Sequence, residues 1–108
     1  RTRLHIFSST IREIGNPKFI CFLVNEEEMQ LVVQPYHKKD FRSHRVPTRR
    51  SSDRWEMEIS SNPLCMLLAN KRDWDLNRSY RVPGRILPKQ QIAIFDLKSA
   101  EIIGRLSP

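Results

Sequence analysis

Apolar and polar positions alternate in blocks along the first third of the chain, and the clearest block lies between Phe19 and Pro35. Two apolar runs, Phe19–Val24 and Met29–Val33, are separated by the polar residues Asn25–Glu28. Phe, Ile, Val and Leu fill both runs, and these residues favour the half-buried surface of a sheet. A polar joining segment of this length is typical of a hairpin loop. The pattern predicts a β-hairpin whose second strand ends at Pro35, because proline cannot donate to a ladder.

The residues before this hairpin predict a short strand and then a short helix. Residues 4–7 form the strand. Ser8-Ser9-Thr10 follows, and any of these three could cap the N-terminus of a helix that contains Ile11 and Ile14. Gly15-Asn16-Pro17 ends the helix, since Gly suits the position just past a helix and Pro cannot continue it.

The second half begins with the alternating segment 55–59, WEMEI, which predicts a strand with one wet face. A helix is predicted from Pro63 to about Arg72, because Ser61 or Asn62 can cap it and Pro suits its first position. Residues 97–103 predict either a strand extension or a terminal helical turn.

A second hairpin is predicted from Ser79–Val82 and Ile92–Phe95. Pro83-Gly84 is a turn dipeptide. The remaining connection runs through Pro88-Lys89-Gln90 and makes this loop longer than the loop of the first hairpin.

These elements suggest an internal repeat. Ile6-Phe7-Ser8-Ser9 is matched by Glu58-Ile59-Ser60-Ser61, and each is followed by an apolar helix and a hairpin. The predicted fold class is therefore α+β and β-rich, in a single domain over 1–108. Its small barrel-like core is built from two strand–helix–hairpin half-repeats, 4–35 and 55–103, joined by a basic connector, 36–54. Closing such a barrel would remove exposed strand edges.

The order of elements resembles the AbrB/MraZ-like swapped-hairpin family of small DNA-binding proteins. The resembling residues are Ile6-Phe7-Ser8-Ser9, Ile11 to Gly15 and Ile20–Pro35. Asp73–Asn77 and the long loop at Pro83–Lys89 depart from that pattern. The resemblance implies a paired barrel that binds DNA.

Period-two alternation predicts which side chains point into this core. The last strand is expected to be centred on an inward Ile94, whose truncation to Ala would destabilise the protein by roughly 2–5 kcal/mol. The predicted inward residues are Ile20, Phe22, Val24, Leu31, Val33, Ile59, Leu67, Tyr80, Val82, Ile92 and Ile94.

Charge is distributed unevenly. Nineteen Lys and Arg residues against twelve Asp and Glu residues give a formal net charge of +7. The connector 36–54 holds seven of the basic residues and two acidic ones, Asp40 and Asp53, which is a net +5. A local excess of this kind favours an anionic partner such as nucleic acid.

The connector is interpreted as a loop, partly ordered at best, whose cations bind phosphates. Tyr36 and Phe41 could stack on exposed bases, or could anchor the loop to the core together with Val46. The alternative is a solvated loop that keeps the protein soluble. The predicted nucleic-acid-binding residues are Lys38, Lys39, Arg42, Arg45, Arg49, Arg50 and Arg54. A second basic set is expected to be structural and comprises Arg78, Arg81, Arg85 and Lys89.

The remaining chemistry argues against an enzyme. The three histidines do not match a zinc signature. Glu26–Glu28, Glu56 and Glu58 are expected on wet surfaces, and the chain has no Gly-rich phosphate loop or nucleophile elbow. Cys21 and Cys65 suggest reduced thiols of a cytoplasmic protein, although a disulfide is conceivable. No cofactor, metal or catalytic residue is predicted.

Two functions therefore follow from the sequence. The first is a small basic nucleic-acid-binding module, resembling a transcription regulator, with double-stranded DNA as its partner. The alternative is a protein–protein interaction or assembly module that recognises an acidic partner. The basic start, Arg1–His5, is not followed by an apolar stretch, so no signal peptide is predicted. No apolar run approaches the roughly 18 residues that a membrane span needs, so no membrane partner is predicted. A homo-oligomer is compatible with both functions.

Overall fold

Antiparallel strands make up most of the fold that the computed structural model describes, over residues 4–47, 56–59, 62–75 and 79–103. In chain order the elements are β1 (Leu4–Phe7), α1 (Ser8–Glu13), β2 (Phe19–Asn25), β3 (Gln30–Tyr36), β4 (His44–Arg45), β5 (Glu56–Ile59), α2 (Asn62–Arg72), β6 (Ser79–Arg81), β7 (Gly84–Leu87), β8 (Ile92–Asp96), a 3-10 turn (Leu97–Ser99) and β9 (Glu101–Ile103). The α+β, strand-rich class predicted from the sequence is confirmed.

The strands form a central five-stranded sheet, in the order β4-β2-β3-β8-β7, and two small ladders, β1-β5 and β6-β9. The expected closed barrel is wrong: within the described ranges these sheets remain open. Ile6 of β1 and Met57 of β5 pack into one cluster with Ile20, Val33 and Ala93 of the central sheet. The β1-β5 ladder is thus joined to the central sheet through side chains, and hydrogen bonds do not close the sheet.

The first hairpin is confirmed. Strand β2 pairs with β3, and Asn25 Oδ1 accepts the backbone N–H of Glu28 in the connecting turn. The strand runs one residue past Pro35, to Tyr36. The register of β3 with β8 extends only from Gln30 to Val33, so this edge of β3 has no described strand partner at Pro35.

The second hairpin differs from the prediction. Strand β6 pairs with β9, whereas β8 pairs with β7 across a turn at residues 88–91. Pro83-Gly84 is extended: the Pro83 carbonyl accepts the Asp96 N–H, and Gly84 begins β7 opposite Phe95. A Cβ at Gly84 would lie 2.7 Å from Phe95 Cε1 and 2.9 Å from the Ile94 carbonyl oxygen. Glycine is needed here for the close approach of an aromatic ring, and not for a turn.

The inward face of β8 is also opposite to the prediction. Ala93 pairs with Val33, and both are fully buried, so Ala93 and Phe95 face the core. Ile92 and Ile94 therefore lie on the other face, where Ile94 stands between Val32 and the exposed Arg85. In the run Ile92–Phe95 both alternating sets are apolar, so the pattern alone does not identify the inward set.

Both predicted helices are present, with differences in detail. The N-cap of α1 is Phe7, without a side-chain capping bond, so none of the three expected hydroxyl residues caps this helix. Gly15, just past its C-cap, has a φ of 98°, as expected for a glycine stop. In α2, Leu68 and Ala69 are the buried residues, and the predicted Leu67 is only half-buried. None of the described helices is long and apolar enough to span a membrane.

Truncation of two isoleucines tests the assignment of sheet faces. Ile20→Ala should lower the free energy of unfolding by about 2–5 kcal/mol, because the side chain is fully buried and would leave a cavity. Ile94→Ala should cost clearly less, because its half-buried side chain retains contact with water. Urea unfolding of both variants makes the comparison. An equal loss of stability in Ile94→Ala and Ile20→Ala would show that Ile94 points into the core, as the sequence predicts.

Gly84→Ala tests the close approach of Phe95. The added methyl group meets a ring carbon and a backbone oxygen at distances that force a local shift, so the expected loss is about 1–3 kcal/mol. Arg85→Ala, at the exposed neighbouring position, is the control and should change stability by less than about 0.5 kcal/mol. A Gly84→Ala protein as stable as the parent chain would show that Phe95 does not cover this position.

Candidate nucleic-acid interface

Three chain segments meet at one end of the central sheet. Lys18 precedes β2, residues 37–45, which include β4, follow β3, and the turn at 88–91 joins β7 to β8. The antiparallel registers place these segments side by side, and a Cβ on Gly15 would lie 2.9 Å from the Gln91 side-chain nitrogen. We call this region the basic end, after its exposed cations: Lys18, Lys38, Lys39, Arg42, Arg45 and Lys89.

The opposite end of the sheet carries a different charge. The β2-β3 turn there exposes Glu26, Glu27 and Glu28. Lys71 of α2 pairs with Glu26, with 2.9 Å between Nζ and Oε1. Charge is therefore separated along the strand direction, which gives the basic end a local positive field.

The segment after β3 is held at both of its ends. Strand β4 pairs His44 with Ile20 and Arg45 with Phe19, and the Val46 N–H donates to the Lys18 carbonyl. Val46 is buried in the core, as expected for an anchor. The sequence predicts a loop over the whole connector, 36–54. Within its described residues, Tyr36 belongs to β3 and His44–Arg45 form β4, which returns the chain to the sheet.

Asp40 organises the turn between these anchors. Its Oδ1 accepts the Arg42 N–H at 2.9 Å, and its carbonyl accepts both the N–H and the hydroxyl of Ser43. Its Oδ2 accepts the Tyr36 hydroxyl at 2.7 Å. These bonds join the turn to the last residue of β3 and fix the backbone between Lys39 and Ser43.

Two aromatic rings flank Arg42. The guanidinium carbon lies 5.5 Å from the centroid of the Tyr36 ring and 5.6 Å from the centroid of the Phe41 ring, which is cation–π geometry. Tyr36 is half-buried, but Phe41 is 92% exposed. Of the two alternatives for Phe41, an anchor to the core is therefore wrong, since the ring lies in solvent.

The titration of the turn follows its hydrogen bonds. The Tyr36 hydroxyl, followed by the Arg42 N–H, lowers the pKa of Asp40 below its usual 3.8. The same hydrogen bond raises the pKa of Tyr36 above 10.0. Burial lowers the pKa of His44 below 6.5, which disfavours its charged form. The His44 ring packs edge-on against Phe22.

The structure collects four of the predicted binding residues, Lys38, Lys39, Arg42 and Arg45, at the basic end. Three others, Arg49, Arg50 and Arg54, lie outside the described residues. Lys18 was missed and Lys89 was assigned a structural role. Lys18 follows Pro17 and Lys89 follows Pro88, and each lies close to a strand end. Their proximity to the connector depends on strand pairing, which this local pattern does not reveal.

The other candidate groups have structural contacts. Trp74 stacks on Tyr80, with ring centroids 4.8 Å apart, and packs against a buried cluster. His5 Nδ1 lies 2.6 Å from Glu56 Oε1 on the β1-β5 ladder. Among the residues that the structure describes, no three His, Cys, Asp or Glu side chains are placed to hold a metal ion.

The Asp40–Tyr36 bond can be tested by titration. The pKa of Asp40 is lower in the folded chain than its usual 3.8. The contribution of this bond to folding stability is therefore fully present above pH 3.8 and is lost as the pH falls through the pKa of the folded chain. Tyr36→Phe should raise the Asp40 pKa toward 3.8 when its carboxyl carbon is followed by NMR. Asp96, whose pKa is lowered mainly by the Ser99 hydroxyl, is an internal control and should not move. An Asp40 pKa unaffected by Tyr36→Phe would contradict the assigned cause.

Comparisons of this chain with protein-family models, curated proteins and solved structures found no match.

Proposed function

We propose that this protein binds DNA through the basic end of its central sheet. The observation that carries the proposal is the convergence of six exposed cations from three separate segments: Lys18, Lys38, Lys39, Arg42, Arg45 and Lys89. Asp40, the acidic residue within the turn, already accepts hydrogen bonds from Tyr36 and Arg42. These bonds hold the carboxylate within the turn, and the six cations outnumber it, so the net field of the basic end is positive.

The width of the basic end suits a duplex. From β4 to β8 the sheet crosses three strand spacings, which is about 14 Å at the usual separation of strands. The major groove of B-DNA is about 12 Å wide. Cations spread over that distance can reach phosphates on both sides of a groove, which positions the protein without selecting a sequence.

The strand pairing also supports an internal duplication. Strand β1 pairs antiparallel with β5, and β3 pairs antiparallel with β8. Each pair joins equivalent strands of the two predicted half-repeats, as a two-fold axis between duplicated units would require. We propose on this basis that the halves arose by duplication. The pairing of β6 with β9 departs from this symmetry.

We also propose a relationship to the AbrB/MraZ-like regulators and a location in the cytoplasm. Duplicated strand–helix–hairpin units would agree with the resemblance to AbrB/MraZ-like regulators. Cys21 and Cys65 are both free thiols, and burial raises the pKa of Cys65, which keeps that thiol protonated. Free thiols suit a reducing compartment, so we propose a cytoplasmic location. We also propose a binding function without catalysis, as the sequence predicts.

Replacement of Lys38 and Lys39 together by Ala tests DNA binding. Affinity for every duplex should fall by a similar factor, because phosphate contacts do not read sequence. The slope of log affinity against log salt should become shallower by about 0.9 for each lost contact, and so by about 2 if both residues touch phosphate. Fluorescence anisotropy with mixed-sequence duplexes at several salt concentrations gives both quantities.

Lys98→Ala is the matched control for this experiment. Lys98 is exposed and follows Leu97, whose N–H donates to the Met29 carbonyl at the opposite end of the sheet. It should leave affinity and slope unchanged. If Lys98→Ala lowers affinity and slope as much as the change at Lys38 and Lys39, binding depends on the overall charge of the protein and a localised site is contradicted. Tighter binding to polyglutamate than to DNA would favour the acidic-partner function.

A further inference from the structure

Phe41 is the most exposed large apolar side chain among the described residues. It is 92% exposed, whereas Phe7, Leu23 and Ile102 are between 50% and 55% exposed. A single exposed apolar residue is common and needs no special role. Phe41 is different because its ring stands within a group of cations and is carried by a turn with a defined hydrogen-bond pattern.

The backbone around Phe41 is fixed before any ligand binds. Asp40 and Ser43 bond to each other on either side of it, since the Ser43 hydroxyl accepts the Asp40 N–H at 3.2 Å and donates to the Asp40 carbonyl at 2.8 Å. The Arg42 guanidinium, 5.6 Å from the Phe41 centroid, adds positive charge beside the ring. Because these bonds already order the backbone, the turn loses less conformational freedom when the Phe41 ring meets a flat partner.

We propose that Phe41 stacks on an unpaired nucleobase, so that the basic end binds DNA with exposed bases more tightly than a continuous duplex. This inference rests on the proposed DNA binding. Base–aromatic stacking is tolerant of sequence because every base has a π-face, and flanking phosphates can pair with Lys38 and Lys39. Inside an intact duplex the base faces are stacked on their neighbours and are closed to Phe41.

Tyr36 has a different role in this arrangement. Its hydroxyl is bonded to Asp40, and the Arg42 guanidinium lies near its ring. It is half-buried at the end of β3. Tyr36 is therefore a positioning residue that holds the turn, and Phe41 is the residue that touches the base.

The test compares three DNAs that share one strand: the single strand, the perfect duplex, and a duplex in which two central nucleotides of that strand are bulged. Affinities are measured by fluorescence anisotropy at one salt concentration. A 2-aminopurine in the bulge provides a second readout, because stacking on Phe41 quenches its fluorescence. The proteins are the full chain, Phe41→Ala, Phe41→Trp, and Leu23→Ala as an exposed apolar control on the outer face of the sheet.

The parent chain should bind the single strand and the bulged duplex more tightly than the perfect duplex. Phe41→Ala should weaken binding to those two DNAs by about 5- to 100-fold, the range for one lost base stack, with the perfect duplex unchanged. Phe41→Trp should retain the preference and the quenching, and Leu23→Ala should behave as the parent chain. Because Phe41 is exposed, its variants should unfold at the parent urea concentration.

The outcomes separate the two proposals. Salt-dependent binding to all three DNAs, with Phe41→Ala affecting them equally or not at all, overturns the stacking role and leaves DNA binding intact. Absence of salt-dependent binding to any of the three DNAs overturns both. Loss of the preference in Phe41→Ala, with the duplex affinity retained, supports both.

Discussion

The pairing of β3 with β8 is the interaction on which the rest of the structure depends. It joins the two hairpins into one sheet, and the pair at one end of its register, Val33 and Ala93, is fully buried. A two-stranded hairpin is at best marginally stable in water, so neither hairpin would persist without this contact. The same register also decides which face of each strand is covered by α1, α2 and the β1-β5 ladder.

The pairing of β3 with β8 also creates the basic end. Lys18, the connector turn and Lys89 are far apart in the sequence, and they become neighbours because β2, β3 and β8 end or begin at the same edge of the sheet. The Glu26–Glu28 turn falls at the other edge for the same reason. A charge separation of this kind can orient the molecule as it approaches a polyanion, since the field acts before contact is made.

Stability and the proposed DNA binding rest on different groups in this protein. The core is apolar, and its cohesion comes from buried isoleucine, valine and leucine side chains. The turn around Asp40 in the connector is held by short-range bonds of Asp40 to Tyr36, Arg42 and Ser43, all in contact with water. Substitution of its cations or of Phe41 should therefore leave the core intact, so the proposed binding can be tested without a change in folding.

The sequence by itself determined those features that depend on neighbouring residues. The first hairpin, the glycine stop after α1, the span of α2 and the basic character of residues 36–45 all follow from local pattern and local chemistry. These predictions succeeded because turn residues, caps and alternation act within a few residues of the chain.

Only the tertiary structure decided the features that depend on strand pairing. Ile92-Ala93-Ile94-Phe95 is apolar at every position, so the pairing with Val33 selects Ala93 and Phe95 as the inward residues. Strand β6 lies beside β9 because β7 takes the place next to β8. Lys18 and Lys89 join the connector, and Phe41 points into water, through contacts between residues far apart in sequence. No local pattern encodes such contacts, because their free energy arises when separate segments exclude water together.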